Sequence, residues 1–131
     1  MLDYRISSPI DPERVAALRL SVGWNAMRES LGKLLPRLYL HIGCYDGDEL
    51  VGFLGVVSDG VCDAYIQDVM VRPDYQRRGI GTSLVGMAVE RLKQNGVYAI
   101  SLLFEAHNAD FYRKFGFHIM MGGQMTTREE A

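Results

Sequence analysis

Three consecutive segments constrain the fold of this chain more than anything else in it. Cys62–Val71 is a β-rich run, Gly81–Gln94 repeats apolar residues at helical spacing, and Val97–Phe104 is again a buried strand pattern. In the helical segment Leu84, Val85, Ala88, Val89 and Leu92 share one face, and Asn95-Gly96 supplies a C-terminal cap. A strand, a helix and a second strand joined this closely form a right-handed crossover, so the two strands are parallel. A ligand site is expected at the top of such a unit.

The rest of the chain builds around this unit. Leu38–Tyr45 and Leu50–Val57 are β-rich and joined by the turn signal Asp46-Gly47-Asp48, which predicts an antiparallel meander ending in Cys62–Val71. Tyr4–Ile6 reads as a short first strand. Asp11-Pro12 opens a helix carrying Val15, Leu18, Leu20 and Val22, and a second helix around Met27–Leu35 stops before Pro36. Near the end, Phe111, Tyr112 and Phe115 fit a short helix capped by Gly116, with Phe117–Met121 as a final strand. A length of 131 residues without repeat or linker predicts one domain, 1–131, of the α+β class.

Charge and composition exclude several function classes. Fourteen basic residues against sixteen acidic ones leave a net charge of −2, which offers no field for nucleic acid or an anionic membrane. No apolar run approaches the roughly 20 residues that span a bilayer, and Met1–Ser8 lacks signal-peptide features, so a cytoplasmic protein is expected. Cys44 and Cys62 fit no Cys-x-x-Cys pattern, and His41, His107 and His118 show no ligand spacing. No metal is expected.

The segment with most chemical content is Gln76-Arg77-Arg78-Gly79-Ile80-Gly81-Thr82, between the Cys62–Val71 strand and the first turn of the next helix. Glycines let main-chain N–H groups approach a ligand closely, and a helix N-terminus adds partial positive charge. Arg77, Arg78 and the Thr82 hydroxyl add donors suited to phosphate oxygens. There is no Gly-x-x-x-x-Gly-Lys, and the Gly-x-Gly-x-x-Gly count begun by Gly79 and Gly81 fails at Leu84, so neither common nucleotide loop is present.

Gln76–Gly81 following Val69-Met70-Val71-Arg72-Pro73 resembles motif A of the GCN5-related N-acetyltransferase (GNAT) family, and Phe111-Tyr112-Arg113-Lys114-Phe115-Gly116-Phe117 resembles its motif B. The resemblance covers most of the chain from about Leu38. It implies the acyl-CoA N-acyltransferase fold, a mixed and mostly antiparallel sheet whose central parallel strands splay apart, flanked by helices. It also implies acetyl-CoA as co-substrate, its pyrophosphate on the amides of Arg77, Arg78, Gly79, Ile80, Gly81 and Thr82, and its acyl and pantetheine arm on the main chain of Val69 and Val71.

The same resemblance makes Tyr112 the general acid that protonates the departing thiolate. Asp68 is the candidate group for the acceptor amine, either binding the cation or relaying its proton. Relatives acting on polyamines carry a Glu-Asp pair where this chain has Gln67-Asp68, and a glutamine cannot act as a base. Asn108 stands four residues before Tyr112 rather than the usual seven and is assigned to the cofactor; His107 and Glu105 are weaker candidates. Trp24, with Gln67, falls where the family builds its acceptor pocket. The expected reaction is direct transfer to a primary amine of a small molecule in a ternary complex, with a homodimer as a family-level expectation. The rival readings are acetylation of a protein N-terminus or lysine, and a non-catalytic acyl-CoA-binding regulatory module.

Overall fold

The computed structural model describes residues 1–131. Its sheet has the order β1 (Leu2–Ile6), β2 (Leu40–Asp46), β3 (Glu49–Ser58), β4 (Asp63–Val71), β5 (Ala99–Leu102). Neighbours from β1 to β4 pair antiparallel, and β4 pairs parallel with β5. Helices α1 (Pro12–Ser21) and α2 (Arg28–Leu34) cover one face, α3 (Ile80–Gln94) covers the other, and the short α4 (Ala109–Arg113) follows β5. The crossover and meander read from the sequence are therefore present, with β1 added along β2.

The apolar run of β3 makes sense once both faces are covered. Val51, Leu54 and Val56 enter the core under α3, while Leu50 and Phe53 enter a second core under α1 and α2. A strand buried on both sides has no polar face to alternate with. Local signals set the helix ends. The Asp11 carboxylate accepts from the Glu13 amide at 2.9 Å with Pro12 in the first turn of α1, and α3 starts from Gly79 at φ 84° and is followed by Gly96 at φ 77°.

Two features of β4 shape everything downstream. Phe53 pairs with Met70 and Gly55 with Gln67, so Asp68 and Val69 together oppose Leu54, and Asp68 takes a left-handed φ of 55°. This is a β-bulge, which bends and twists the strand that carries it. In addition, the parallel pairing with β5 runs only from Asp63↔Ala99 to Ile66↔Leu102, leaving the rest of β4 without a neighbour on that side.

Two expectations are corrected. The strand read as Val97–Phe104 is confined to Ala99–Leu102, because Val97 turns into the α3 core and Phe104 leaves the sheet to stack on Tyr112. Phe117–Met121 forms no strand: no amide from Phe117 to Ala131 donates to another main-chain group. Phe117 contacts Tyr112, but Ile119, Met120 and Met121 all lie exposed, so the segment has no single apolar face to bury and β5 is the edge of the sheet.

α3 packs tightly on the sheet at Gly52, where an added Cβ would lie 2.9 Å from Ile80 Cγ2 and 3.3 Å from Cys44 Cβ. Gly52→Ala is expected to lower stability by about 2 kcal/mol through overpacking, shifting Tm down by about 5–10 °C. Thermal unfolding followed by circular dichroism checks this; a wild-type Tm would mean α3 is free to lift away from β3.

Candidate active site

The end of β4 leads directly into the glycine-rich segment. After Val71 a 3₁₀ turn at Pro73–Tyr75 reverses the chain, and Arg77 and Gly79 both adopt left-handed φ, 65° and 84°. That path turns the amides of Arg77, Arg78, Gly79, Ile80, Gly81 and Thr82 away from the fold, and none of them donates to a protein acceptor. Ser83 is the first amide satisfied, bonding Gly79 O at 3.0 Å. Consecutive unpaired N–H groups at the positive end of a helix of 15 residues form an anion cradle. The Ile80 side chain is buried in the core, so this residue can offer only its amide, whereas Arg77, Arg78 and Thr82 are exposed.

Arg78 is placed rather than loose. Its guanidinium lies 4.8 Å from the ring centre of Tyr75, which Arg72 also approaches at 4.7 Å. Tyr75 is anchored in turn by a hydroxyl bond to Asp46. Tyr75 and Asp46 thus hold the base of the cradle, and neither carried a sequence signal linking it to the glycines.

The gap between β4 and β5 opens beside this cradle. The Arg72 amide bonds Val51 O at 2.8 Å across β3, so by strand alternation the main chain of Val71 faces the gap. There the Val71 carbonyl already accepts Gln76 Nε2 at 3.0 Å. Asp68 lies two residues beyond the last paired residue of β4, Ile66, and Phe104 two beyond its partner Leu102 on β5. The Tyr112 ring stacks on Phe104 at 4.6 Å, just past the paired part of β5, while Asp68 lies just past the paired part of β4.

Tyr112 is 7% exposed and clamped by aromatic rings, with Phe111 at 4.9 Å and Phe117 at 6.3 Å. Phe111 also fixes α4 against α3, since a Cβ added at Gly81 would lie 3.4 Å from its ring. Burial pushes the Tyr112 hydroxyl above its ordinary value, because the anion would lose its hydration. A phenol of this kind stays protonated at neutral pH and can donate.

Asp68 has a partner that sequence reasoning missed. Asp68 Oδ2 pairs at 3.0 Å with Arg19 Nη1, from a side chain only 7% exposed on α1. Trp24 is 41% exposed, and the Arg19 guanidinium stands 5.4 Å from its ring. A signal was available: Arg19 is four residues after Val15 and one after Leu18, a charge inside the apolar stripe of α1. Gln67 is half-buried on β4 beside the bulge. Asn108 is half-buried at the start of α4 without capping it, while Glu105 and His107 are exposed. No three His, Cys, Asp or Glu side chains cluster as metal ligands, and no helix is long and apolar enough to cross a membrane.

The fold is that of the acyl-CoA N-acyltransferases. The model of the Acetyltransferase (GNAT) family matches residues 7–117, and the chain belongs to that family. A GNAT-family acetyltransferase structure from Streptococcus pneumoniae TIGR4 is 33% identical with TM-score 0.84, over 98% of this chain and 100% of that one. A Staphylococcus aureus protein of unknown function is 27% identical with TM-score 0.89, over 98% and 100% respectively. GCN5-related N-acetyltransferase 2, chloroplastic, of Arabidopsis thaliana is 39% identical over 69 residues, 53% of this chain and 27% of its own. The chain spans only 27–40% of the length of the first curated relatives that it matches.

Burial raises the hydroxyls of Tyr112, Tyr4 and Tyr65 alike. Above about pH 10 the unfolded chain loses these protons before the native one does, so the native state binds more protons and stability falls as pH rises. Burial raises the Cys44 thiol in the same sense, so stability against urea is expected to begin falling at about pH 8.5 and to fall further above about pH 10. Tyr112→Phe should weaken less over the same alkaline range; an identical loss would mean its hydroxyl is fully hydrated.

Proposed function

We propose that this protein transfers the acetyl group of acetyl-CoA to the primary amine of a small molecule, by direct attack within a ternary complex in one domain. The observation that carries the reading is the run of unpaired amides from Arg77 to Thr82, continuous with a strand gap that ends at a buried tyrosine. A pyrophosphate fits the amides and Arg78, and a pantetheine arm can replace the strand pairing that β4 lacks along Val69 and Val71. Acetyl-CoA supplies the activated acyl group; the protein supplies position and a proton.

In this mechanism Asp68 takes the acceptor's ammonium. Arg19 occupies Oδ2, which leaves Oδ1 to receive the cation, and water from the open side removes its proton before attack. As the tetrahedral intermediate collapses, Tyr112 donates its proton to the sulfur, whose thiol has an ordinary pKa of about 8.5 against about 10 for a phenol; the nitrogen, cationic after attack, releases a proton to solvent, and solvent returns one to the phenolate. Direct attack is preferred to an acetyl-cysteine route on chemical grounds. Burial raises the Cys44 thiol and makes it a poor nucleophile, and Cys62 precedes the paired end of β4, away from the gap.

A small acceptor is favoured over a protein chain because Arg128–Ala131 folds back against the loop between α1 and α2. That narrows the side on which a peptide would have to lie. Two free thiols are compatible with a cytoplasmic setting, which belongs to the proposal; the chloroplast address is a property of the Arabidopsis relative.

The test is a thiol-release screen with acetyl-CoA across amines, amino acids, aminoglycosides and peptides. Tyr112→Phe is expected to reduce kcat on the best acceptor by about 100-fold while acetyl-CoA affinity holds; wild-type turnover would remove Tyr112 from the chemistry. Gly79→Val probes the cradle more cleanly than a change at Gly81, since nothing lies within 4 Å of the Gly79 position and only its left-handed φ is at stake. The variant should fold yet lose the rise in Tm that saturating acetyl-CoA gives the wild type. Retention of that shift would move the phosphates elsewhere.

A further inference from the structure

Arg19 is the one charged side chain that the fold buries, and in the mechanism above it only occupies Oδ2 of Asp68. Removing a guanidinium from water is unfavourable unless its donors are met, and an apolar residue in its place is often no worse for stability. Packing of α1 therefore does not account for an arginine here. What it touches does. Nε donates to Asn25 O at 2.7 Å, Nη2 to Asn25 Oδ1 at 2.9 Å, and Nη1 pairs with Asp68 Oδ2 at 3.0 Å. These partners are the bulge of β4 and the loop between α1 and α2, not the core.

Asn25 carries the connection further. Its Nδ2 donates to Glu130 O at 2.8 Å, and the nearby Met27 amide donates to Ala131 O at 2.8 Å. Ser30 and Arg128 bond the Glu130 carboxylate. One guanidinium thus joins three chain segments far apart in sequence: the candidate amine-binding carboxylate, the acceptor loop, and a strap, Arg128–Ala131.

We propose that Arg19 is a positioning residue for the acceptor amine, holding Asp68 with Oδ1 toward the opening and coupling that orientation to the docked strap. The assignment of an acceptor rests on the acetyltransferase reading; the coupling does not. The planar fork is essential, because Nε and Nη2 engage Asn25 while Nη1 engages Asp68, and a lysine ammonium cannot span both.

The experiment compares wild type, Arg19→Met, Arg19→Lys and Asn25→Ala by two measurements. One is the exchange rate of the Met27 amide by NMR, which reports strap docking without any ligand. The other is KM and kcat at saturating acetyl-CoA for the fastest of benzylamine, spermidine, L-lysine and kanamycin. Arg19→Met is expected to speed Met27 exchange about tenfold and raise the amine KM about tenfold, with kcat within about threefold and the acetyl-CoA KM unchanged. Arg19→Lys should show the same two changes in smaller degree.

Wild-type values in Arg19→Met, wild-type behaviour of Arg19→Lys, or a change in only one of the two measurements would overturn the proposal. Should Arg19→Met fail to fold, Asn25→Ala decides. It removes both side-chain bonds of the exposed Asn25 without touching Asp68, and unchanged Met27 exchange would break the link. If the wild type transfers acetyl to no amine and shows no thermal shift with acetyl-CoA, the proposed function fails, and Met27 exchange still settles the coupling.

Discussion

Everything distinctive in this structure follows from the early end of the parallel pairing between β4 and β5. The two strands share hydrogen bonds only as far as Ile66 and Leu102. Immediately beyond, β4 bulges at Asp68 and Val69, and a bulged strand bends and twists away from the path of its neighbour. The main chain of Val71 then faces a gap rather than a strand. Buried main-chain groups without partners are unfavourable, so such a gap is tolerated where solvent or a ligand can enter it.

The two cores hold the walls of that gap in place. The core under α3 fixes the cradle, because Ile80 is anchored in it while the amides on either side of its side chain point outward. The core under α1 and α2 fixes the opposite side, delivering Arg19 to Asp68 from an otherwise apolar stripe. α4 is too short to be stable alone and depends on aromatic packing, with Phe111 against Gly81 and Tyr112 against Phe104. Tyr112 and the glycine-rich segment are therefore parts of one packed unit.

Much of this was legible in the chain. The helical face of Leu84, Val85, Ala88 and Leu92 and the turn at Asp46-Gly47-Asp48 encode local structure through short-range spacing, and the glycine-rich segment stands out through residue type and position where the amides prove to be unpaired. Phe117–Met121 misled for a definable reason: its residues suit a strand, but strand formation needs a neighbour and a face to bury, and Ile119, Met120 and Met121 find neither. Asp68 was visible as a candidate carboxylate, yet its neighbours were not, because Arg19 and Asp68 are joined only by the packing of α1 on the sheet.

The sequence by itself determined the order and type of most elements and the parallel crossover between β4 and β5. These depend on backbone preferences and on spacings of a few residues, which a linear chain displays directly. Only the tertiary structure decided where β4 and β5 part, which amides remain unpaired, and that one buried guanidinium joins the bulge, the loop between α1 and α2 and the Arg128–Ala131 segment. Those are contacts between residues distant in sequence, and their geometry exists only once both cores have closed around the sheet.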